Sequence, residues 1–319
     1  MTRRHQVIEV QGLSKYYDER PAIVDVSFSV PRGQVLGFLG PNGAGKSTTM
    51  RILTGFISAS GGTASIAGFD VFQHSLEVRR RVGYLPETSP LYNEMRVVDY
   101  LEMMCRLRGV APARRAQRID HAVEACGLGA RRRDIIGRLS RGLRQRVGLA
   151  QAVVHDPDVL ILDEPTAGLD PGQTRETRQL ISQIGKQHTV VLSSHILPEV
   201  SATCERVIII NQGRLVADDR PEDLGRRLGS SRKSQVEMVV RGEAGAIERR
   251  LRNLDAVEQL DLQPLGDGEC RVVVTSQADL REELARSVVS GRFGLRELRS
   301  RSLSLEDIFL RLTTTEETG

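Results

Sequence analysis

The sequence lacks the features that would place the chain in a membrane or in a secreted class. No run of about 18 consecutive apolar residues occurs, so we expect no segment that crosses a bilayer. The N-terminal segment, MTRRHQVIEV, has a basic end but no apolar stretch of about 7–15 residues behind it, so we expect no secretory signal. These absences predict a cytosolic protein, and any membrane role then depends on a partner.

Cysteine and lysine are both scarce. The four cysteines form no C-x-x-C pair, and no histidine lies near them at zinc-ligand spacing, which favours free thiols in a reducing compartment. Only four of the 45 cationic residues are lysine, and the arginines are spread along the whole chain. The formal net charge of +4 is too small by itself to indicate a nucleic acid partner.

The rest of the composition is typical of a globular protein. Hydrophobic residues make up 39% of the chain and charged residues 27%, which allows a sizeable core. At about 150 residues per domain, 319 residues predict two domains.

The apolar pattern predicts strands that alternate with helices. Residues 6–12 and 22–30 alternate with period two, as in an antiparallel pair. Val35–Leu39 is continuously apolar, like a buried strand, and a helix is predicted over 46–56. Helical patterns fill the region from about 95 to 155, and further buried strands follow. This order predicts a mostly parallel sheet with a helical insert.

A change in composition divides the chain towards its C-terminal end. We take 1–225 as the first domain, 226–234 as a linker and 235–319 as an accessory domain. The accessory domain has the pattern of a β-α-β-β-α-β series with a closing helix from about residue 304.

The clearest functional motif is GPNGAGKS, which fits G-x-x-x-x-G-K-[ST] between a predicted strand and a predicted helix. Its glycines allow backbone N–H groups to surround phosphate oxygens, and the helix N-terminus adds partial positive charge. Lys46 is expected to reach the β- and γ-phosphates, and the Ser47 hydroxyl to ligate Mg²⁺. A glycine-rich turn with a surface lysine is the alternative. The predicted nucleotide-binding residues here are Gly40, Pro41, Asn42, Gly43, Ala44, Gly45, Lys46, Ser47 and Thr48.

A second pair of chemical groups follows the apolar run 159–162. Asp163 stands where the carboxyl end of a strand meets the phosphates, so we expect it to hold Mg²⁺ through water. Glu164 is expected to orient or deprotonate the attacking water. The alternative, that the pair caps the next helix, is weak in a chain that already has the phosphate-binding motif.

The segment 139–146, LSRGLRQR, resembles the L-S-G-G-Q signature loop of ATP-binding cassette (ABC) proteins. With the motifs above, AGLD at 167–170 and SSH at 193–195, it identifies residues 1–225 as similar to that family, and most similar to the ATPase subunits of export-type systems. The resemblance implies an α/β P-loop NTPase cassette. That cassette has a RecA-like core, an antiparallel β subdomain and a helical subdomain over about 95–155, and a small C-terminal α+β domain follows it.

The resemblance also implies a head-to-tail homodimer around two ATP molecules. Ser140 and Gly142 of one chain then contact the γ-phosphate held by Lys46 of the other, and Asp170 crosses the interface. Ser140 opens a predicted helix, so the N–H groups that follow it can bind an anion; a plain helix cap is the alternative.

Two further roles are implied by the resemblance. His195 holds the γ-phosphate and the attacking water, although a lone histidine is more often structural. Tyr17 matches the aromatic residue that stacks on adenine, although a tyrosine of a hairpin is as often part of the core.

Three positions depart from the family's pattern. Arg141 and Leu143 replace the third and fifth residues of the signature loop, and Arg141 adds positive charge near a polyphosphate. Glu87 stands where the family has the Q-loop glutamine, and a carboxylate accepts hydrogen bonds without donating them. Glu87 can ligate Mg²⁺ but repels a γ-phosphate more than glutamine does. We expect ATPase activity to be retained, since export-type relatives often carry glutamate here.

The function implied is that of an ATPase subunit on the inner face of the cell membrane, driving permease subunits that are encoded separately. In the family, the helical insert receives a coupling helix of the permease. The apolar residues that can line such a cleft, unless they belong to the core, are Leu91, Tyr92, Met95, Met103 and Met104.

Two other functions are weighed against this one. A cassette ATPase acting on ribosomes or nucleic acid is disfavoured by the single cassette and by the absence of sustained heptads and of a basic footprint. An ATP sensor without turnover is disfavoured by Glu164 and His195. The C-terminal SLEDIFLRLT resembles an ending common in exporter ATPase subunits, either as a regulatory or dimer-stabilising element or as packing.

Overall fold

The computed structural model of the chain describes residues 6–221, 223–224, 234–254 and 256–301. The chain divides into two compact units, Met1–Pro221 and Glu222–Gly319. The predicted closing helix from residue 304, and all but the last residue of the predicted linker, lie outside the described residues. Within the part of the chain that is described, no helix combines the length and the apolar character needed to cross a membrane.

The first unit contains an antiparallel sheet with the strand order β2-β1-β4-β5. Its strands are β1 (Gln6–Tyr17), β2 (Arg20–Pro31), β4 (Gly61–Ile66) and β5 (Phe69–Asp70). The alternating residues of β1 and β2 pair along the two strands, which confirms the predicted antiparallel pair.

A second sheet of the same unit has the strand order β10-β9-β3-β8-β7-β6. The strands from β9 to β6 are parallel, and β10 pairs antiparallel to β9. The six strands are β3 (Val35–Leu39), β6 (Val82–Leu85), β7 (Val159–Leu162), β8 (Thr189–Ser194), β9 (Arg206–Asn211) and β10 (Arg214–Asp219). All residues of β3, β7 and β8 are buried, which fits the continuous apolar sequences of β3 and β7 and the apolar centre of β8.

Seven α-helices are described in the first unit, and the third to fifth of them form the helical insert. The helices are α1 (Lys46–Leu53), α2 (Ser75–Arg81), α3 (Val97–Leu107), α4 (Pro112–Ala125), α5 (Arg141–Val153), α6 (Pro171–Gly185) and α7 (Leu197–Thr203). Helix α1 was predicted to reach residue 56 but ends at Leu53, because Gly55 adopts a left-handed conformation with φ of 67°.

Helix α5 lies very close to the parallel sheet. A Cβ atom on Gly83 of β6 would be 2.0 Å from the carbonyl oxygen of Ala152, so only glycine allows this approach. The Gln151 amide also donates a hydrogen bond of 2.7 Å to the carbonyl of Tyr84. These contacts fix the C-terminal end of α5 against β6.

The second unit has the predicted β-α-β-β-α-β order. Its elements are β11 (Ser234–Arg241), α8 (Ala244–Arg252), β12 (Val257–Gly266), β13 (Glu269–Ser276), α9 (Arg281–Ser290) and β14 (Gly294–Arg301). The sheet is antiparallel with the order β12-β13-β11-β14. A separate core includes Val236, Met238, Val272 and Leu284, all fully buried.

Candidate nucleotide-binding site

The carboxyl ends of three parallel strands converge on one cavity of about 350 Å³. The loop 40–45 follows β3, the Asp163–Glu164 pair follows β7, and His195 follows β8. Ligands of open α/β sheets bind at this edge, so the topology alone predicts a site here. The cavity is lined by Ala22, Asn42, Gly43, Gly45, Lys46, Ser47, Thr48, Glu87, Glu164, Ala167 and His195.

The loop between β3 and α1 depends on its glycines. Gly43 and Gly45 have φ of 80° and 104°, which disfavours any residue with a Cβ atom. A Cβ on Gly45 would also lie 2.6 Å from the carbonyl oxygen of Ala22. The loop leads into α1 without a side-chain cap, so the first N–H groups of the helix are available to an anion.

Lys46 is buried at the end of this loop, as the first residue of α1. Its ammonium group donates hydrogen bonds to the carbonyl oxygens of Gly40 and Pro41, at 2.8 and 3.1 Å. The same Nζ atom lies 3.3 Å from Oε1 of Glu164, and both side chains are less than 10% exposed. A buried positive charge is thus held beside the carboxylate expected to act on water.

Glu164 joins the lysine to His195. Its Oε2 atom lies 3.0 Å from Nδ1 of His195, and its backbone N–H donates to Ser193 Oγ at 2.9 Å. Glu164 has φ of 47°, a left-handed conformation that costs a non-glycine residue about 1–3 kcal/mol and occurs mostly at functional sites. The strained backbone directs the carboxylate into the cavity, between a cation and an imidazole.

Asp163 and Ser47 provide oxygen atoms for a divalent cation. The Ser47 hydroxyl lies 3.1 Å from Oδ1 of Asp163 at the base of the loop. Mg²⁺ prefers such hard oxygen donors and takes most of its other ligands from water and phosphates. Among the described residues, no group of three or more His, Cys, Asp and Glu is placed so that it could hold a metal ion. A Mg²⁺ ion would therefore need water and phosphate oxygens as further ligands. The pair therefore fits a Mg²⁺ that is bound together with phosphate.

Ser193 is a site residue that the sequence analysis gave no role. It is fully buried, donates a hydrogen bond of 2.6 Å to Asp163 and accepts one from the backbone of Glu164. It therefore fixes both acidic residues of the site. Its neighbours along the chain give no signal for this role, since both bonds join the end of β8 to the residues that follow β7.

Four predicted residues outside the loop after β3 and the acidic pair do not line the cavity of their own chain. Ser140 caps α5 by accepting from the N–H of Leu143, and Asp170 caps α6 in the same way. Gly142 lies against α6, where a Cβ atom would be 2.6 Å from the side-chain oxygen of Gln173. Tyr17, at the end of β1, is 47% exposed, and its ring centroid lies 5.3 Å from Nζ of Lys15.

Glu87 does line the cavity, in the segment that follows β6. We predict that Glu87→Gln tightens the binding of ATP in the absence of Mg²⁺ by about 3–10-fold, because it removes one negative charge that faces the triphosphate. Isothermal titration in EDTA measures this. Glu94→Gln, at an exposed residue outside the cavity, makes the same change in net charge. Equal affinities of Glu87→Gln and the unchanged chain would contradict a role for Glu87 at the phosphates.

A second, apolar groove of about 770 Å³ lies between α1, β6 and the helical insert. It contains Leu91, Tyr92, Met103 and Met104 as predicted, but not Met95. Phe56 and Leu107 also line it and are 74% and 71% exposed. Burial, with the Asp163 carboxylate nearby, raises the pKa of Tyr84 in this groove to about 12, so its hydroxyl stays protonated.

The chain is similar to known proteins over the unit that holds the cavity and beyond it. A family model described as ABC transporter matches residues 23–167. The daunorubicin/doxorubicin resistance ATP-binding protein DrrA of Streptomyces peucetius is 33% identical, over 98% of this chain and 94% of its own. The Nod factor export ATP-binding protein I of Burkholderia pseudomallei is 32% identical, over 97% of both chains.

A solved structure described as the ATP-binding subunit of an ABC transporter has a TM-score of 0.64 and 30% identity, covering 70% of this chain and 93% of its own. The phosphate-binding loop, the acidic pair and the histidine therefore lie in a cassette of known architecture, and relatives that match nearly the full length are named for resistance and export. The chain belongs to the family of ABC transporter ATP-binding proteins.

Proposed function

We propose that the chain binds ATP with Mg²⁺ in this cavity and hydrolyses the γ-phosphate. The contact of Glu164 with both Lys46 and His195 is the observation that carries the proposal. A carboxylate between a cation and an imidazole, beside a phosphate-binding loop, provides the groups that phosphoryl transfer to water requires. An ATP sensor without turnover would need neither the carboxylate nor the histidine.

Each of the three residues has a distinct task in the reaction. Lys46 exchanges its contacts with Glu164 and with two carbonyl oxygens for the β- and γ-phosphates, where it stabilises the charge that develops on the equatorial oxygens. Glu164, released from the lysine, accepts a hydrogen bond from the attacking water and takes its proton. The water oxygen bonds to the γ-phosphorus as the bond from that phosphorus to the oxygen bridging the β- and γ-phosphates breaks, which leaves ADP and inorganic phosphate. His195 holds Oε2 of Glu164 and keeps the carboxylate oriented. Ser47 and, through water, Asp163 would hold Mg²⁺, and Glu87 is a further candidate ligand. The metal ion would neutralise charge on the phosphates.

Removal of the metal tests this proposal. We expect purified protein to release phosphate from ATP with Mg²⁺ present and to lose this activity in EDTA, because the triphosphate charge is then left without its main counter-charge. A coupled assay of inorganic phosphate measures the rate, and excess Mg²⁺ should restore it. Equal rates with Mg²⁺ and in EDTA would contradict the proposed chemistry.

A second copy of the chain is proposed to complete the cavity. Ser140, Gly142 and Asp170 lie outside the cavity of their own chain, at the first turns of α5 and α6. The Ser140 hydroxyl occupies the N–H of Leu143, which leaves the earlier N–H groups of α5 available to an anion. In a head-to-tail homodimer these groups face the γ-phosphate held by Lys46 of the other copy. Tyr17 is proposed to stack on adenine.

Permease subunits are the other proposed partners, and the apolar groove is the proposed contact. Its exposed aromatic and aliphatic side chains have the adaptable apolar character that a partner helix requires. Relatives named for resistance and export favour an exporter, in which the chain works at the cytoplasmic face of the membrane through the permease. No nucleic acid partner forms part of the proposal. The unit from residue 235 onwards is proposed as an accessory domain.

The groove can be tested with one charged substitution. Leu107→Asp is expected to reduce the amount of co-purified permease at least about 10-fold, because a buried carboxylate costs several kcal/mol at an apolar interface. Leu76→Asp is the matched control, since Leu76 is 69% exposed and lies outside the groove. Pull-down of the co-expressed permease measures the effect. Equal recovery with both variants would place the permease contact elsewhere.

A further inference from the structure

We infer that Arg141 is a positioning residue that links the two ATP sites of the proposed dimer. Its guanidinium donates a hydrogen bond of 3.1 Å from Nη2 to the carbonyl oxygen of Ala167. Ala167 lines the cavity of the same chain. Arg141 therefore connects the start of α5, proposed to face the partner's nucleotide, with the chain's own site. This inference rests on the proposed head-to-tail dimer.

The guanidinium also packs on the backbone of the cavity loop. Gly168, the residue after Ala167, has φ of 68°, and a Cβ atom on it would lie 2.2 Å from Nη2 of Arg141. Arg141 fills the space that a side chain at position 168 would need. A glycine at position 141 would provide neither the hydrogen bond nor this contact.

A second side chain on the same face of α5 supports the link. Gln145 lies one turn after Arg141 and donates a hydrogen bond of 2.9 Å to the carbonyl of Pro165. One turn of α5 thus holds two carbonyl groups of the loop that begins at Glu164. A movement of α5 towards nucleotide in the partner chain is transmitted through these bonds to the loop of Glu164.

The positive charge of Arg141 therefore faces a backbone carbonyl of its own chain and not a phosphate. Because the guanidinium is turned to Ala167 within its own chain, it acts on the site of its own chain through the loop and not by contact with the partner's phosphate. The amides of Ala167 and Leu169 report on the loop, since they donate to the carbonyls of Glu164 and Thr166 at 3.0 and 3.2 Å. Their hydrogen exchange can be followed without nucleotide.

Arg141→Met removes the link while keeping the length of the side chain. We expect kcat for ATP to fall about 10-fold and the Kd for ATP to change less than about twofold, because loop geometry and not nucleotide binding is altered. The Hill coefficient should fall to about 1, since the two sites no longer communicate. Arg141→Lys, which can still donate to Ala167, should recover most of kcat. Arg138→Met is the control for lost charge, because the exposed side chain of Arg138 has no hydrogen bond or ion pair with described residues.

A double-mutant cycle with Gly168→Ala separates the link from direct contact with phosphate. Both substitutions act on the same packing, so the double variant should be no slower than the slower single variant. Multiplied effects would overturn the inference, as would wild-type kcat and Hill coefficient in Arg141→Met.

Faster exchange of the Ala167 and Leu169 amides in nucleotide-free Arg141→Met is also expected, and unchanged exchange would overturn the link. If the unchanged chain released no phosphate, the proposed function would fail, and this exchange measurement would still decide on the contact itself.

Discussion

Glu164→Gln is expected to lower ATP turnover about 1000-fold, within the range that loss of a general base causes. The amide keeps the shape of the side chain but cannot take the proton of the attacking water. ATP should bind at least as tightly as before, because a negative charge that faces the triphosphate is removed. Single-turnover phosphate release and nucleotide titration measure the two effects separately.

The control for Glu164→Gln is Glu205→Gln, which changes the same group at an exposed residue outside the cavity and should turn over ATP normally. A turnover rate of Glu164→Gln within about threefold of the unchanged chain would show that another group activates the water. The residue would then serve only to hold Lys46 in the nucleotide-free protein.

Lys46→Met is expected to weaken ATP binding about 100-fold, since charge-assisted hydrogen bonds to phosphate contribute about 1.5–3 kcal/mol. The nucleotide-free protein should lose stability as well, by about 1–3 kcal/mol, because the buried Glu164 carboxylate loses one partner and keeps its contact with His195. Fluorescent-nucleotide titration and denaturant unfolding measure these changes. A loss of both ATP affinity and stability is expected if Lys46 neutralises Glu164 in the nucleotide-free protein and phosphate in the complex.

Lys186→Met, at an exposed lysine after α6, should leave both quantities unchanged. Unaltered stability of Lys46→Met would contradict the ion pair with Glu164. Unaltered ATP affinity would contradict the role of Lys46 at the phosphates.

The parallel sheet and its phosphate-binding loop could be predicted because their signals are local. A fully apolar run such as Val35–Leu39 has few alternatives to a buried strand, and the glycine spacing after it supplies the positions where the loop needs left-handed backbone. The acidic pair was predicted for the same reason, since it directly follows a second such run. Local sequence also explains the end of α1 at Leu53, although the prediction overlooked Gly55.

Local sequence signals did not predict the tertiary contacts. Ser193 joins Asp163 to Glu164 across two strands, and nothing in its neighbours along the chain indicates that bond. The contact of Arg141 with Ala167 spans 26 residues and forms only when α5 packs beside the loop that follows β7. The predicted groove residue Met95 lies outside the groove, because apolar spacing does not tell which face of a segment remains uncovered.

Residues proposed to act between two chains form a third group, besides those that local sequence predicts and those placed by tertiary contacts. Ser140, Gly142 and Asp170 lie at helix N-termini, where each makes or permits a local contact within its own chain. The capping bonds explain the serine and the aspartate without any partner. The proposed roles of Ser140 and Gly142 at phosphate, and of Asp170 across the interface, therefore need a measurement on two copies of the chain.

Mixing two inactive variants provides that measurement. Lys46→Met damages the phosphate-binding loop, and Ser140→Arg damages the start of α5, so each variant alone should release almost no phosphate. In a head-to-tail dimer, one site of a mixed pair contains the intact halves of both chains. Random pairing of equal amounts should restore about a quarter of the wild-type sites. Folded variants that remain inactive when mixed would contradict a site shared between two copies.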